Sequence, residues 1–176
     1  SLYEEAFKQS IKESVKNARV PVKDIKCIGF SSTAETCVFL DENNKPLCKV
    51  IAWMDTRATK EAKELTEQFE KQDIIKKVGF DGIYAIHPVS KILAVKHKTP
   101  EIFEKTRMFA QIKDYFIFKL TGTYYTDHST ASDHGFFGIT NRCYWKEMLA
   151  YTGIKEEYLP KLEEPGTELG MISESA

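Results

Sequence analysis

Gly29-Phe-Ser-Ser-Thr-Ala-Glu-Thr-Cys-Val-Phe-Leu-Asp-Glu-Asn-Asn-Lys-Pro-Leu47 runs through a second apolar stretch into Ala52-Trp-Met-Asp-Thr-Arg57. Glu35–Leu40 reads as a strand, rich in β-branched and aromatic residues. Asp41–Pro46 collects residues that tolerate tight and left-handed turns. Leu47–Trp53 reads as the returning strand. At the ends of these segments stand Glu35, Trp53, Asp55 and Arg57, a set suited to gripping a hydroxylated small molecule.

Working outward, Ile25–Phe30 is apolar enough for a central strand, and Gly29 near its end permits close backbone approach. Before it, residues 2–17 place Leu2, Ala6, Ile11 and Val15 among Lys, Glu and Gln, an amphipathic helix that Pro21 ends. After Arg57, Thr56 or Thr59 caps a helix running to about Glu70, with its Lys and Glu residues on a solvated face. Ile74–Val78 is helical and stops at Gly79. Pro88 and Pro100 each suit the first turn of a helix. Met108–Ile112 is a short strand and Lys113–Leu120 a helix ended by Gly122. Asp127 caps a helix start. Phe136–Ile139 is strand-like, Tyr144–Tyr151 helical, and Lys155–Leu159 a short helix. The tail from Pro165 is a turn-rich connector. Strands cluster early and helices later, which predicts an α/β fold with a mixed sheet and flanking helices.

Composition narrows the function. The chain has 176 residues, 42% hydrophobic and 12% aromatic, with net charge −1. That supports a real core and offers no concentrated basic face for nucleic acid or anionic membrane. No apolar run reaches membrane-spanning length. Cys27, Cys37, Cys48 and Cys143 form no C-x-x-C pair, so they are expected as reduced thiols in a cytoplasmic protein, Cys27 and Cys37 within the core. Asp127-His128 and Asp133-His134 lack the spacing that brings metal ligands together on a helix, and no metal site is expected. His87 and His97 are expected at the surface.

Several short stretches, in order and spacing, resemble the N-terminal domain of the FGGY carbohydrate kinases, the group holding xylulokinase, gluconokinase, ribulokinase and glycerol kinase. They are Ile28-Gly29-Phe30-Ser31, Leu40-Asp41, Lys45-Pro46-Leu47 and Trp53-Met54-Asp55-Thr56-Arg57-Ala58. Further on come Ser90-Lys91-Ile92-Leu93, Pro100-Glu101-Ile102-Phe103, Lys113-Asp114-Tyr115 and Leu120-Thr121-Gly122. Thr126-Asp127-His128-Ser129-Thr130-Ala131-Ser132, Leu159-Pro160 and Pro165–Gly170 complete the set.

The resemblance implies a ribonuclease-H-like, actin-like ATPase fold, with residues 1–176 as the sugar-binding first domain of a two-domain kinase, truncated at both ends. It places the catalytic aspartate beyond Ala176, so no catalytic residue is expected in this chain. ATP and Mg2+ belong to the full-length protein, bound mainly by its C-terminal nucleotide-binding domain. The fragment alone is expected to bind neither and to be inactive. A homodimer is an admitted assembly.

The resemblance also implies the substrate residues. Thr33-Ala34-Glu35-Thr36 occupies the turn where glycerol kinase carries Gln-Arg-Glu-Thr and xylulokinases carry Met-His at the positions of Ala34 and Glu35. Neither pattern is matched in full. Trp53, Asp55 and Arg57 match the family's Trp-x-Asp-x-Arg stretch, and on an extended backbone their spacing puts all three on one face. Trp53 either covers the sugar's C–H surface or packs in the core. Asp55 accepts from hydroxyls, and Arg57 either joins it or orients it. Tyr84 and Ile86 lie on a loop that borders the sugar in relatives. The expected activity is phosphorylation of a small sugar, a xylulose-like ketopentose. The alternatives are a glycerol-like polyol, a gluconate-like sugar acid, or a non-catalytic sugar-binding relative.

Overall fold

The computed structural model describes residues 2–173. The chain divides into two compact units, Ser1–Ser31 and Ser32–Ala176. The first unit holds helix α1 (Leu2–Ala18) and a short 3-10 turn, Val22–Asp24, after Pro21. Phe7 and Phe30 stack within it, ring centroids 6.0 Å apart. The strand expected over 25–30 does not form, and Ile25, Cys27 and Ile28 are exposed. An apolar run is competent for a sheet, but it becomes a strand only where another strand's amides and carbonyls meet it. Cys27 is therefore not the buried thiol expected of it.

The second unit is built around β1 (Cys37–Leu40), whose four residues are all buried. It pairs antiparallel with β2 (Met108–Gln111), in a register matching Cys37 to Gln111 and Leu40 to Met108. Along its other edge β1 meets Pro46 and Ile51 in isolated bridges, Leu40 with Pro46 and Cys37 with Ile51. Two residues of β1 lie between those bridges and four residues of the partner segment, so the partner bulges. The expected return strand Leu47–Trp53 is thereby reduced to contacts at its two ends. The turn between is built as its residues suggest. Asp41 Oδ1 accepts the amides of Asn43 and Lys45 at 2.8 and 2.9 Å, and Asn44 takes φ 60°.

Helices α2 (Thr59–Gln68), α3 (Lys71–Val78), α4 (Pro88–Lys98) and α5 (Pro100–Lys105) follow. The cap of α2 is Ala58 rather than Thr56 or Thr59; the Thr59 hydroxyl is spent on the Thr56 carbonyl. Glu61 is an exception to the solvated face, only 1% exposed. Pro88 through Val95 are all buried, so α4 is a core helix rather than a surface one. Its entry is fixed by the Val89 amide on the His134 carbonyl, 3.0 Å. Gly135 allows that approach: its φ is +78°, and a Cβ there would stand 2.6 Å from Val89 Cγ1.

Beyond β2 come α6 (Ile112–Thr121), β3 (Tyr125–Asp127) and α7 (His128–Ser132), the last capped by Asp127 as expected. β4 (Phe137–Gly138) pairs antiparallel with β5 (Cys143–Tyr144), so the helix expected from Tyr144 begins only at α8 (Lys146–Thr152). Residues 155–159 tighten into a 3-10 turn over Glu156–Tyr158. Ahead of the connector, β6 (Lys161–Glu163) adds a strand that the sequence pattern does not announce, parallel to β3. Among the described residues the pairing of both senses falls in three separate two-stranded sheets, two antiparallel and one parallel, rather than in the one mixed sheet expected. The core joins Phe39, Leu65, Ile74, Ile92 and Met148 across β1 and four of the helices.

Candidate substrate-binding site

At the N-terminal end of β1, Thr33 is exposed while Ala34 and Glu35 are half-buried. Glu35 has φ 67°, left-handed backbone for a residue with a side chain. The next residue, Thr36, is buried, and its Oγ1 accepts the Trp53 amide at 3.1 Å. That bond joins the segment bearing Glu35 to the segment bearing Trp53 and Asp55.

A third element fixes both. Lys91 on α4 is 2% exposed, and its ammonium donates to the carbonyls of Glu35 (2.8 Å), Ala52 (2.9 Å) and Trp53 (3.1 Å). Three donors meet three acceptors, which is the full capacity of an ammonium. Burial lowers the Lys91 pKa, while Cys37, Glu35 and Asp55 nearby favour its charged form.

The Trp53–Arg57 segment is not extended. The Asp55 amide closes a turn on the Ala52 carbonyl at 3.0 Å, and the alternation that would put three side chains on one face is lost. Trp53 is 44% exposed. Asp55 Oδ1 takes both the backbone amide and Nε of Arg57 at 3.0 Å. That guanidinium bond, against the opposing effect of burial, holds the Asp55 carboxyl at about 2. Asp55, Arg57, Lys91 and Lys98 line a groove of about 160 Å³ beside α4, whose floor includes Ile51, Ala58 and Val95. Glu35 and Trp53 lie outside its wall. The sequence-predicted residues therefore fall into two groups, Thr33–Glu35 and Trp53–Arg57, with Lys91 beneath both.

Glu35 has a neighbour that sequence reasoning set aside. Burial raises the Glu35 carboxyl, Asp133 raises it further, and Lys91 opposes them. Asp133, just past α7, is half-buried, and burial raises its carboxyl too. Asp127, by contrast, caps α7 and binds Lys113 Nζ and the Thr130 hydroxyl. His87 is buried, not exposed, and its Nδ1 accepts the Tyr84 amide at 3.2 Å. Tyr84 itself is exposed and donates to Asp81. Among the described residues no three His, Cys, Asp or Glu side chains converge on a metal-sized space.

Lys91 and Asp133 are the functional candidates that residue-by-residue reading missed. Lys91 stands in the sequence inside the resemblance stretch Ser90–Leu93 and inside the largely apolar run Val89–Val95, where the periodicity leaves it little room at the surface.

A family model described as the N-terminal domain of the FGGY family of carbohydrate kinases matches residues 3–176. The chain belongs to this family. Among its relatives, the gluconokinase of Bacillus licheniformis is 34% identical over 81% of this chain and 28% of its own length. The xylulose kinase of Bacillus subtilis is 32% identical over 93% of this chain and 32% of its own length. A solved xyloylose kinase from Brucella ovis superposes with TM-score 0.90 at 26% identity, covering 97% of this chain and 35% of that one. Plasmodium falciparum glycerol kinase, solved with ADP, gives TM-score 0.78 at 30% identity over 86% of this chain and 31% of that one. The fold is that of the FGGY kinases, of the actin-like ATPase class. The chain spans only about a third of the length of each of these relatives.

Proposed function

We propose that the complete protein is an ATP-dependent carbohydrate kinase and that this chain forms the sugar-facing wall of its cleft. The sugar is a neutral, hydroxyl-rich one, a xylulose-like ketopentose. Thr33, Ala34, Glu35, Trp53, Asp55 and Arg57 form that wall. ATP and Mg2+, with the catalytic aspartate, are held by the part of the polypeptide outside this chain. The protein works in the cytoplasm; among the described residues no helix is long and apolar enough to cross a membrane.

One observation carries the choice of substrate class. Glu35 and Asp133 are half-buried carboxylates, each pushed up by burial, with the charge of Asp133 raising Glu35 further. Sugar hydroxyls donate to such a pair and satisfy it. A sugar acid brings a third negative charge to the same place, where it is repelled. The rival reading, a gluconate kinase, is favoured by the 34% identity to a gluconokinase.

The test is a coupled ADP-release screen of the complete polypeptide with Mg-ATP over pentuloses, hexuloses, polyols and aldonic acids. A ketopentose is expected to give the highest kcat/KM. Gluconate at the top would replace the substrate assignment, and no ADP with any member would end the kinase reading.

A further inference from the structure

Lys91 is the one buried ammonium of the second unit whose three hydrogen bonds all go to backbone carbonyls, among the described residues. Burying a charge without a carboxylate partner is costly, and dipoles repay it only if they are held in place. A purely apolar α4 would pack without that cost, as its neighbours Ile92 and Leu93 do. The carbonyls it binds come from two segments separated in the chain from Lys91 and from each other: Glu35 just ahead of β1, and Ala52 and Trp53 at the turn before α2.

Glu35 shows what the bond accomplishes. Left-handed backbone at a non-glycine residue persists only where the surroundings over-determine it. Here its carbonyl is held by Lys91, and the amide of Cys37, two residues on, is laddered to Ile51 at 2.9 Å. On the other segment, the Ala52 carbonyl accepts both Lys91 and the Asp55 amide that closes the turn. The backbone at Glu35 and the turn that carries Asp55 are therefore tied to each other through one side chain of α4.

We infer that Lys91 is a positioning residue for sugar binding: with its three ammonium donors spent on the carbonyls of Glu35, Ala52 and Trp53, it holds two substrate-facing segments in register. The inference rests on the carbohydrate-kinase reading above.

The test compares wild type, Lys91→Met and Lys91→Gln in the complete polypeptide, with the KM for sugar and for ATP measured separately. Misplacing a binding group by an ångström costs on the order of 100-fold, so Lys91→Met is expected to raise the sugar KM about 10- to 100-fold and leave the ATP KM within about twofold. Lys91→Gln, which keeps an amide donor, recovers part of the loss. In a Glu35→Ala background, Lys91→Met is expected to add much less than it does alone, because part of its effect runs through Glu35. An unchanged sugar KM, equal losses for sugar and ATP, or full additivity overturns the inference. If neither variant folds, hydrogen exchange on wild type decides: sugar is expected to protect the amides around Glu35 and around Asp55 together, and protection of neither overturns it. A wild type that turns over no sugar sinks the kinase reading instead, so the two failures are distinguishable.

Discussion

Glu35 combines a strained backbone with a carboxyl that burial and Asp133 both push up. Among the described residues no guanidinium binds its side chain, whereas Asp55 spends its acceptor capacity on Arg57. The two carboxylates are thus unequal in what they have left for a ligand. Glu35→Gln keeps size and backbone and removes the charge. It is expected to weaken sugar binding by about 1–3 kcal/mol, the worth of a hydrogen bond to a charged group. Isothermal titration of the complete protein with its best sugar measures this, and unchanged affinity takes Glu35 out of the site. Glu35 was legible in sequence because a lone carboxylate precedes an apolar strand. Asp133 was not, because its nearness to Glu35 depends on how β1 and α7 are placed, and no local pattern carries that.

At the scale of elements, most turns and caps were readable, the α2 cap excepted, and the pairings were not. Asp41, Gly79, Gly122 and Asp127 do what their chemistry suggests, since a cap is decided within one turn of chain. The strand over 25–30 and the continuous return strand failed, and the β3–β6 pairing was unforeseen, because each depends on a distant partner. The junction of α6 with α7 shows how a local cap acquires a long-range duty. Asp127 accepts the Thr130 amide at 2.9 Å and also pairs with Lys113, which is 4% exposed. Asp127→Ala loses the cap and strands a buried ammonium, so about 3 kcal/mol or more of stability is expected to go. The double variant Asp127→Ala with Lys113→Met is expected to be more stable than Asp127→Ala alone. Urea unfolding of the 176-residue chain measures both; a double variant as weak as the sum of the singles removes the pairing as the cause.

For the whole molecule, the buried ionisable groups make stability a function of pH. Burial, aided by the charge of Lys113 and by His87 against an opposing Asp127, holds His134 at about 3; burial and Lys91 hold His87 at about 4. Asp114 is pushed up to about 7 by burial, against the Gln111 amide and Lys113. A histidine depressed on folding stays neutral in the native state while the unfolded chain takes up a proton below about 6.5, so each histidine costs stability as pH falls from there. Asp114 has the opposite sign: the native state holds its proton between about 3.9 and 7 and the unfolded chain does not, so acidification in that window favours the fold. Glu35 and Asp133, both raised, act in the same direction as Asp114. One histidine can be isolated from this balance. Neither ring nitrogen of His134 has a hydrogen-bond partner, so His134→Leu removes the titration without breaking a bond. Relative to wild type, the variant is expected to gain about 2 kcal/mol on going from pH 7 to pH 5, from 1.36 kcal/mol per pH unit over the interval below 6.5. Urea midpoints of both proteins at the two pH values check it. Equal pH dependence in the two would mean that the folded and unfolded chains hold the His134 proton equally well, so that burial does not depress it.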